Sequence, residues 1–304
     1  MNTSQESYKP KSKILATFFN IVFPGLGYFY VGNFKKSLFS MLSIIAITYT
    51  FYYLTYYFKN AYIFLALFPT ITFIFFYIIF DVIKIISREE DKSYKINKWY
   101  FIPFLIIIIS FLLTVIVEIA PVRYFLIPSK SMSPTIQQGD YLIVKKDIST
   151  LSRKELVVFK YPKNPDVFFI KRCVAVGGDK IFIKDKILYL QPHEGPEYIK
   201  KNYPRNNIVT INNSLWVKNP YKHSIKTIIN DDKVVDDGNH HSPLFNFNQI
   251  KIPEDSYFVM GDNRDHANDS RFWGYIKPKD IFGTFNGVIC LNFNDLSRIN
   301  LKIK

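Results

Sequence analysis

The distribution of apolar residues changes character near residue 120. Before it they gather in long runs, and after it they come in short stretches alternating with polar positions. The long runs occupy residues 14–31, 38–58, 61–86 and 101–120. A bilayer core is crossed by about 20 helical residues, so the last three runs are each expected to span. The first is interrupted by Pro24-Gly25-Leu26-Gly27, and proline and glycine inside a helix interrupt it. Lys9, Lys11 and Lys13 precede this run, Lys35-Lys36 follow it, and Arg88, Lys92, Lys95 and Lys98 lie in the loop before the last run. Basic loops stay on the cytoplasmic side. All these clusters can be inside only if residues 14–31 do not cross. That segment is therefore expected to form a re-entrant or interfacial hairpin folded at Pro24–Gly27, shielded by its neighbours. The last of the three spans then runs outward and leaves residues 121–304 beyond the membrane.

From Tyr141 onward the pattern predicts strands at 141–144, 157–161, 167–176, 181–183 and 187–190, with turns at Gly177-Gly178-Asp179 and Lys184-Asp185-Lys186. Residues from about 192 to 248 are polar and rich in Asn, His and Pro. They read as a less regular insertion with short strands at 210–211 and 215–217. Strand pattern returns at 257–260 and 282–293. The expected architecture is a helical membrane region, with a re-entrant hairpin and three transmembrane helices, followed by a mainly antiparallel β domain.

Composition adds bounds. The chain of 304 residues has room for a membrane region and one soluble domain with its own core. Its net charge of +14 is accounted for by basic loops beside an anionic lipid surface. No nucleic-acid-binding motif is present, so membrane lipid, and not nucleic acid, is the expected partner. Cys173 and Cys290 are too few for a disulfide framework. Each falls in an apolar strand-like run, so buried thiols are expected, with a single bond between them left open. The apolar start runs on into further apolar segments and does not read as a removable signal peptide.

The chemistry centres on Ile127-Pro128-Ser129-Lys130-Ser131-Met132-Ser133-Pro134-Thr135, which directly follows the last apolar run. A serine hydroxyl is a poor nucleophile and needs a base within hydrogen-bond reach. Among the histidines, His193, His223, His240 and His241 fall in the polar insertion. His240-His241 lie beside Asp236-Asp237, but neighbouring side chains on a strand point opposite ways and no third ligand is suitably spaced. No metal or cofactor is expected. His266 lies in a loop holding carboxylates and keeps a Ser-His-Asp arrangement open. The stronger candidate base is Lys171, inside the apolar run 167–176 with Phe169 and Cys173 on its own face. Burial disfavours the ammonium and lowers a lysine's pKa, and a neutral amine can take the serine proton. A strand lysine taken alone more often packs its stem and sends its amine to water. The serine motif and the later loop Gly261-Asp262-Asn263-Arg264-Asp265 reverse that balance.

These segments, with Gly139-Asp140, Phe169-Ile170-Lys171-Arg172, Gly177-Gly178-Asp179 and Asp269-Ser270-Arg271-Phe272-Trp273-Gly274 in the same order, resemble the motifs of bacterial type I signal peptidases across the soluble half. The resemblance implies a membrane-bound serine endopeptidase that removes signal peptides from secreted preproteins after small residues. Together with the three expected spans it makes the chain a multi-pass protein of the bacterial inner membrane with its catalytic domain on the outer face, and the secretion translocon is a further candidate partner. By position it makes Ser131 the nucleophile and Lys171 the general base. The Ser131 N–H and Ser129 hydroxyl would form the oxyanion hole, and Ile127, Ile136 and Ile170 would line pockets for small side chains. Asp262 would pair with Arg172, while Asp269 and Arg271 would brace the loop. The sequence departs from the family at Ala267, where a serine commonly bonds the lysine amine. Asn268, Ser270, Ser133 or a water are candidates to replace it. That departure keeps alive a catalytically inactive relative serving as a scaffold or preprotein-binding module. A transporter, suggested by the broken hairpin, lacks charges in the middle of its spans.

Overall fold

The computed structural model describes residues 12–58, 61–88, 102–146, 150–221, 225, 228–232, 242–292 and 295–301. The chain divides into two compact units, Met1–Pro121 and Val122–Lys304.

The first unit is helical: α1 (Lys13–Val22), α2 (Leu26–Tyr30), α3 (Phe34–Phe58), α4 (Ala61–Arg88) and α5 (Ile102–Ile119). Helix α1 starts where the Ser12 hydroxyl accepts from the Leu15 N–H. It stops at the Pro-Gly break, where Gly25 takes φ +106°, a conformation open to glycine at little cost. Broken helices leave N–H groups without partners. Here Asn20, wholly buried, folds back, and its Oδ1 accepts from the N–H of Gly25 at 3.0 Å and of Gly27 at 2.8 Å. Gly27 is needed for closeness, since a Cβ there would lie 2.4 Å from the Ala16 carbonyl oxygen. The α1–α2 turn is locked to α4 at Asp81, which accepts from Tyr28 Oη at 2.7 Å and Lys36 Nζ at 2.6 Å. Polarity is inverted on α1: Asn20 and Ala16 face inward while Ile14, Phe18 and Ile21 face out.

Helices α3 and α4 cover the runs 38–58 and 61–86, and α5 covers 102–119 of the last run. Among the described residues one stretch, Phe68–Arg88 of α4, is long and apolar enough to cross a membrane by length and composition, while the apolar part of α5, Ile106–Ile119, is shorter. In α3 the apolar residues are diluted by Ser, Thr and Tyr.

The second unit is built from two antiparallel sheets. The first has the order β1 (Val122–Leu126), β2 (Asp140–Lys145), β11 (Ile281–Asn292), β3 (Leu156–Tyr161), β4 (Asn164–Val176) and β10 (Tyr257–Met260). The second has the order β7 (Ile208–Ile211), β8 (Ser214–Lys218), β6 (Ile187–Gln191), β5 (Lys180–Lys184) and β9 (Phe247–Lys251). The stretch 192–248 is thus more regular than its polar composition suggests. It supplies α6 (Pro196–Asn202), β7 and β8, and completes the second sheet. Its hairpin turns at Asn212-Asn213, both at positive φ (48° and 59°), as the tight turn matching strand twist requires. Val174, Ile181, Leu188, Leu190, Val217 and Phe258 form one core, and Val157, Phe159, Cys173, Val259 and Ile276 another. Cys173 is a free thiol, wholly buried, and burial pushes it well above its usual pKa. The Cys290 side chain lies outside the described residues.

The C-terminal end closes on β2. Arg298 donates to the fully buried Asp140 through Nε at 2.9 Å and Nη2 at 2.7 Å, and to the Thr135 carbonyl at 3.2 Å. Asn292 Nδ2 adds a bond to Asp140 at 2.7 Å. Removing one partner strands a buried charge, which costs about 3–5 kcal/mol. Arg298→Ala should therefore lower the stability of this unit by that order, read as a fall in the denaturation midpoint of the purified protein.

Candidate active site

Residues 127–139 leave β1 and return to β2 as a closed loop. Ile127 N–H donates to the Asp140 carbonyl at 2.9 Å, and Gly139 N–H donates to the Ile127 carbonyl at 2.8 Å. Within it the chain makes a tight turn, with Ser133 N–H bonded to the Lys130 carbonyl and Ile136 N–H to the Met132 carbonyl, both at 3.0 Å. Met132 and Ile136 are driven inward and pack with Ile127, Leu142, Val158 and Ile170. With Met132 and Ile136 turned into the core, Ser129 and Ser131 stand together, their Oγ atoms 3.2 Å apart.

Strand β4 brings Lys171 to the same place. Its Nζ lies 2.8 Å from Ser131 Oγ and donates to the Ile170 carbonyl at 3.0 Å. The side chain crosses the Phe169 ring at 5.2 Å. Lys171 is 4% exposed. Burial lowers its pKa from the ordinary 10.5 to about 8, against the opposing pull of Asp269 and then Asp262.

The glycine-rich loop after β10 forms the third side. Arg172 Nε and Nη2 meet the two oxygens of Asp262 at 2.8 and 2.6 Å, and Thr135 Oγ1 donates to the same carboxylate at 2.6 Å. Asp269 caps α7 (Ser270–Trp273), accepts from Gly261 N–H at 3.0 Å, and is gripped by Arg271 Nε and Nη2, both at 2.8 Å. Asn263 reaches the serine loop itself, through its N–H to the Ser131 carbonyl at 3.2 Å and its Nδ2 to the Lys130 carbonyl at 3.1 Å. Segment 228–232 holds this loop from outside: Ile229 N–H donates to the Asp262 carbonyl and Ile229 C=O accepts from Arg264 N–H, both at 3.0 Å.

The residues singled out in the sequence therefore meet, with Ser129, Ser131, Lys171 and Ile170 at the centre and Asp262–Arg172 and Asp269–Arg271 as bonded pairs behind. Ile127, Ile136 and Ile170 share one apolar cluster under the serine, with Ile136 wholly enclosed. The second partner of the amine is none of the side chains considered. Ser270 Oγ accepts from Val259 N–H, and the backbone carbonyl of Ile170 takes the role. A main-chain carbonyl has no signature in sequence. Ala267 is buried, and its Cβ stands 2.4 Å from where a Cβ on Gly261 would sit. His266 points elsewhere, with Nε2 2.9 Å from Asp231 Oδ2. His223, His240, His241, Asp236 and Asp237 lie outside the described residues.

One cluster of metal-ligating atoms occurs among the described residues: Asp179, His193 and Glu194, within 4.8 Å of one another. Arg153 already fills it, donating to Asp179 Oδ2 at 2.7 Å and to the two oxygens of Glu194 at 2.8 Å each. The cavity of about 500 Å³ beside it, lined by residues including Arg153, Val176, Tyr198 and Tyr257, does not include Ser131 or Lys171.

Residues 96–290 match the family model described as signal peptidase, peptidase S26. The chain belongs to the signal peptidase family S26. It is accordingly a serine endopeptidase of the signal peptidase I type, acting in signal-peptide removal. It is similar to the signal peptidase I of Aquifex aeolicus (strain VF5), 34% identical over 193 residues, covering 52% of this chain and 72% of that one. It is also similar to the signal peptidase I of Buchnera aphidicola subsp. Baizongia pistaciae, 31% identical over 244 residues, covering 65% and 77%. A solved signal peptidase I from Enterococcus faecalis V583 matches 45% of this chain and 98% of its own, at 22% identity and a TM-score of 0.29, too low to bear on the fold.

The close approach at Gly261 makes a sharp test of this S26 site. A Cβ there would lie 2.5 Å from the Ser131 carbonyl oxygen and 2.4 Å from the Ala267 Cβ, neither of which can swing away. A displacement of about 1 Å costs about 100-fold in rate. Gly261→Ala is expected to lose activity on a preprotein by that order while remaining folded, as measured by cleavage rate alongside thermal unfolding.

Proposed function

We infer that this peptidase cuts preproteins with a Ser131–Lys171 dyad, on the outer face of the membrane that anchors it. The observation that carries the reading is the 2.8 Å contact between Ser131 Oγ and a lysine amine that burial has brought to about 8. In that state the amine lone pair accepts the hydroxyl proton as Ser131 Oγ attacks the scissile carbonyl. The developing oxyanion is received by the Ser131 N–H and the Ser129 hydroxyl, at the point where preorganised donors contribute most. The resulting ammonium protonates the leaving amine. The mature protein departs with that amine; the lysine, neutral again, takes a proton from the water that attacks the acyl-enzyme, and the Ser131 ester bond breaks to release the signal peptide. The apolar cluster under the serine loop supports pockets lined by Ile127, Ile136 and Ile170 that take small side chains. Larger ones would force overlap at about 1–3 kcal/mol. A proteinaceous dyad of this kind needs no cofactor. With Ser131 and Lys171 in contact, the geometry gives the inactive-scaffold alternative no support.

The membrane placement rests on the first unit. Phe68, Phe73, Phe76 and Phe80 stand outward from α4, an apolar face larger than a soluble surface tolerates. The non-helical turn after α1 has its N–H groups satisfied internally by Asn20, the condition for irregular backbone at membrane depth. With the basic clusters inside, residues 14–31 form a non-crossing hairpin. Residues 38–58, 61–86 and 101–120 then cross, and 121–304 lie outside, where preproteins emerge from the translocon.

Ser131→Ala and Lys171→Met should each abolish preprotein cleavage, and the double variant should be no worse than either, because the pair acts as a unit. Full activity in Lys171→Met would remove the dyad. For topology, single cysteines at Lys35 and Ser93, in a background lacking Cys173 and Cys290, should be shielded from an impermeant thiol reagent in intact cells, while one at Asn239 reacts. Labelling at position 35 with none at 93 would mean four crossings.

A further inference from the structure

We propose that Asn263 is a positioning residue for the peptide plane that presents the Ser131 N–H to the oxyanion. The proposal rests on the reading of Ser131 as nucleophile and of its N–H as an oxyanion donor. It assigns to the glycine-rich loop a task beyond pairing with Arg172.

The Lys130 carbonyl and the Ser131 N–H belong to one rigid plane and point in opposite directions across it. Whatever fixes the carbonyl therefore aims the N–H. The Lys130 carbonyl accepts two bonds. One comes from Ser133 N–H at 3.0 Å, within the same turn, and so moves with it. The other comes from Asn263 Nδ2 at 3.1 Å, on a separate element. The Asn263 N–H also holds the Ser131 carbonyl at 3.2 Å, so one residue grips the peptide planes on both sides of the nucleophile. Asn263 is itself fixed, being buried and following Asp262, whose carboxylate is gripped by Arg172 and whose carbonyl accepts from Ile229. The side-chain orientation follows from its acceptor, because the reversed amide would set Oδ1 against the Lys130 oxygen.

Among the described residues the Ser131 N–H donates to no acceptor. That is the condition of a donor kept for charge that appears only during reaction. Two bonds to the carbonyl also polarise the amide and strengthen its N–H as a donor. The gain is realised on the developing oxyanion and is absent in ground-state binding, so it belongs in kcat and not in KM.

The test compares the full-length enzyme with Asn263→Ala and Asn263→Leu on a signal-peptide substrate. Removing an oxyanion donor outright costs about 10²–10³ in kcat, so tilting one is expected to cost about tenfold. The expected result has KM unchanged and the pH inflection of the base unmoved. Affinity for a substrate-like peptide boronic acid, whose tetrahedral adduct carries the oxygen in the same place, should fall in parallel with kcat. Asn263→Leu keeps about the size and the backbone bond to Ser131 and removes the Nδ2 donor without adding a charge. It carries the same expectation should Asn263→Ala fail to fold. Unchanged kcat in a folded variant overturns the proposal. So does a loss confined to KM, or a shifted pH inflection, either of which would mark a general loosening of the site. Ser131→Ala is run alongside. If it keeps activity, the nucleophile reading itself fails; if it is inactive while Asn263→Ala is fully active, only the role of Asn263 falls.

Discussion

The structure depends on keeping one amine out of water. Lys171 has to be buried deeply enough that its cation is disfavoured, in a site that also holds two carboxylates. Each carboxylate taken alone would stabilise the ammonium and undo the effect. Asp262 and Asp269 are instead each held in two-point contact by an arginine, Arg172 and Arg271 respectively. Burial outweighs the pull of Asp269 and then Asp262, and lowers the amine to about 8. Each unit of pKa corresponds to about 1.36 kcal/mol. The fall from 10.5 therefore represents a real destabilisation of the charged form, sustained by packing around β4.

The same pairs hold the geometry. Asp262 binds Arg172, the neighbour of Lys171, and Thr135, on the loop that carries Ser131. Thr135 in turn offers its carbonyl to Arg298, which is locked on Asp140 at the loop's far end. The serine loop is thus fastened along its second half, at Thr135 and Asp140, by two buried Arg–Asp pairs and at Lys130 and Ser131 by Asn263. Buried pairs of this sort contribute little net stability over apolar packing but are costly to break. Here they fix where a hydroxyl and an amine meet.

What the sequence made legible were residues that the structure brings together: Ser131, Lys171 and the paired Asp and Arg residues. Their spacing placed them on a loop and a strand, and β2, β3, β4 and β10 lie close to where alternation put them. Other parts left no such trace. The Ile170 carbonyl is main chain. Arg298 looks like an ordinary basic residue near the end until Asp140 is found opposite it. Strand β1, with Arg123 and two aromatic residues between the apolar helix and the serine motif, has too few alternations to stand out. Strands β7 and β8 showed only as short apolar pieces at 210–211 and 215–217, because polar residues dominate that stretch, and helix α6 left no signal there. In the helical unit the Pro-Gly break was visible, but the partner of its freed N–H groups, Asn20, was not.

The dependence of kcat/KM on pH tests the central claim most directly, since it reports the free enzyme's base. Burial has lowered the lysine, so the active, neutral amine is the major form above about 8 and is lost to protonation below it. The rate should climb about tenfold per pH unit through the acidic side, bend near 8 and then level off. A rate still climbing until about 10.4, the value of a lysine in water, or one with no inflection at all, would contradict a buried Lys171 acting as the base.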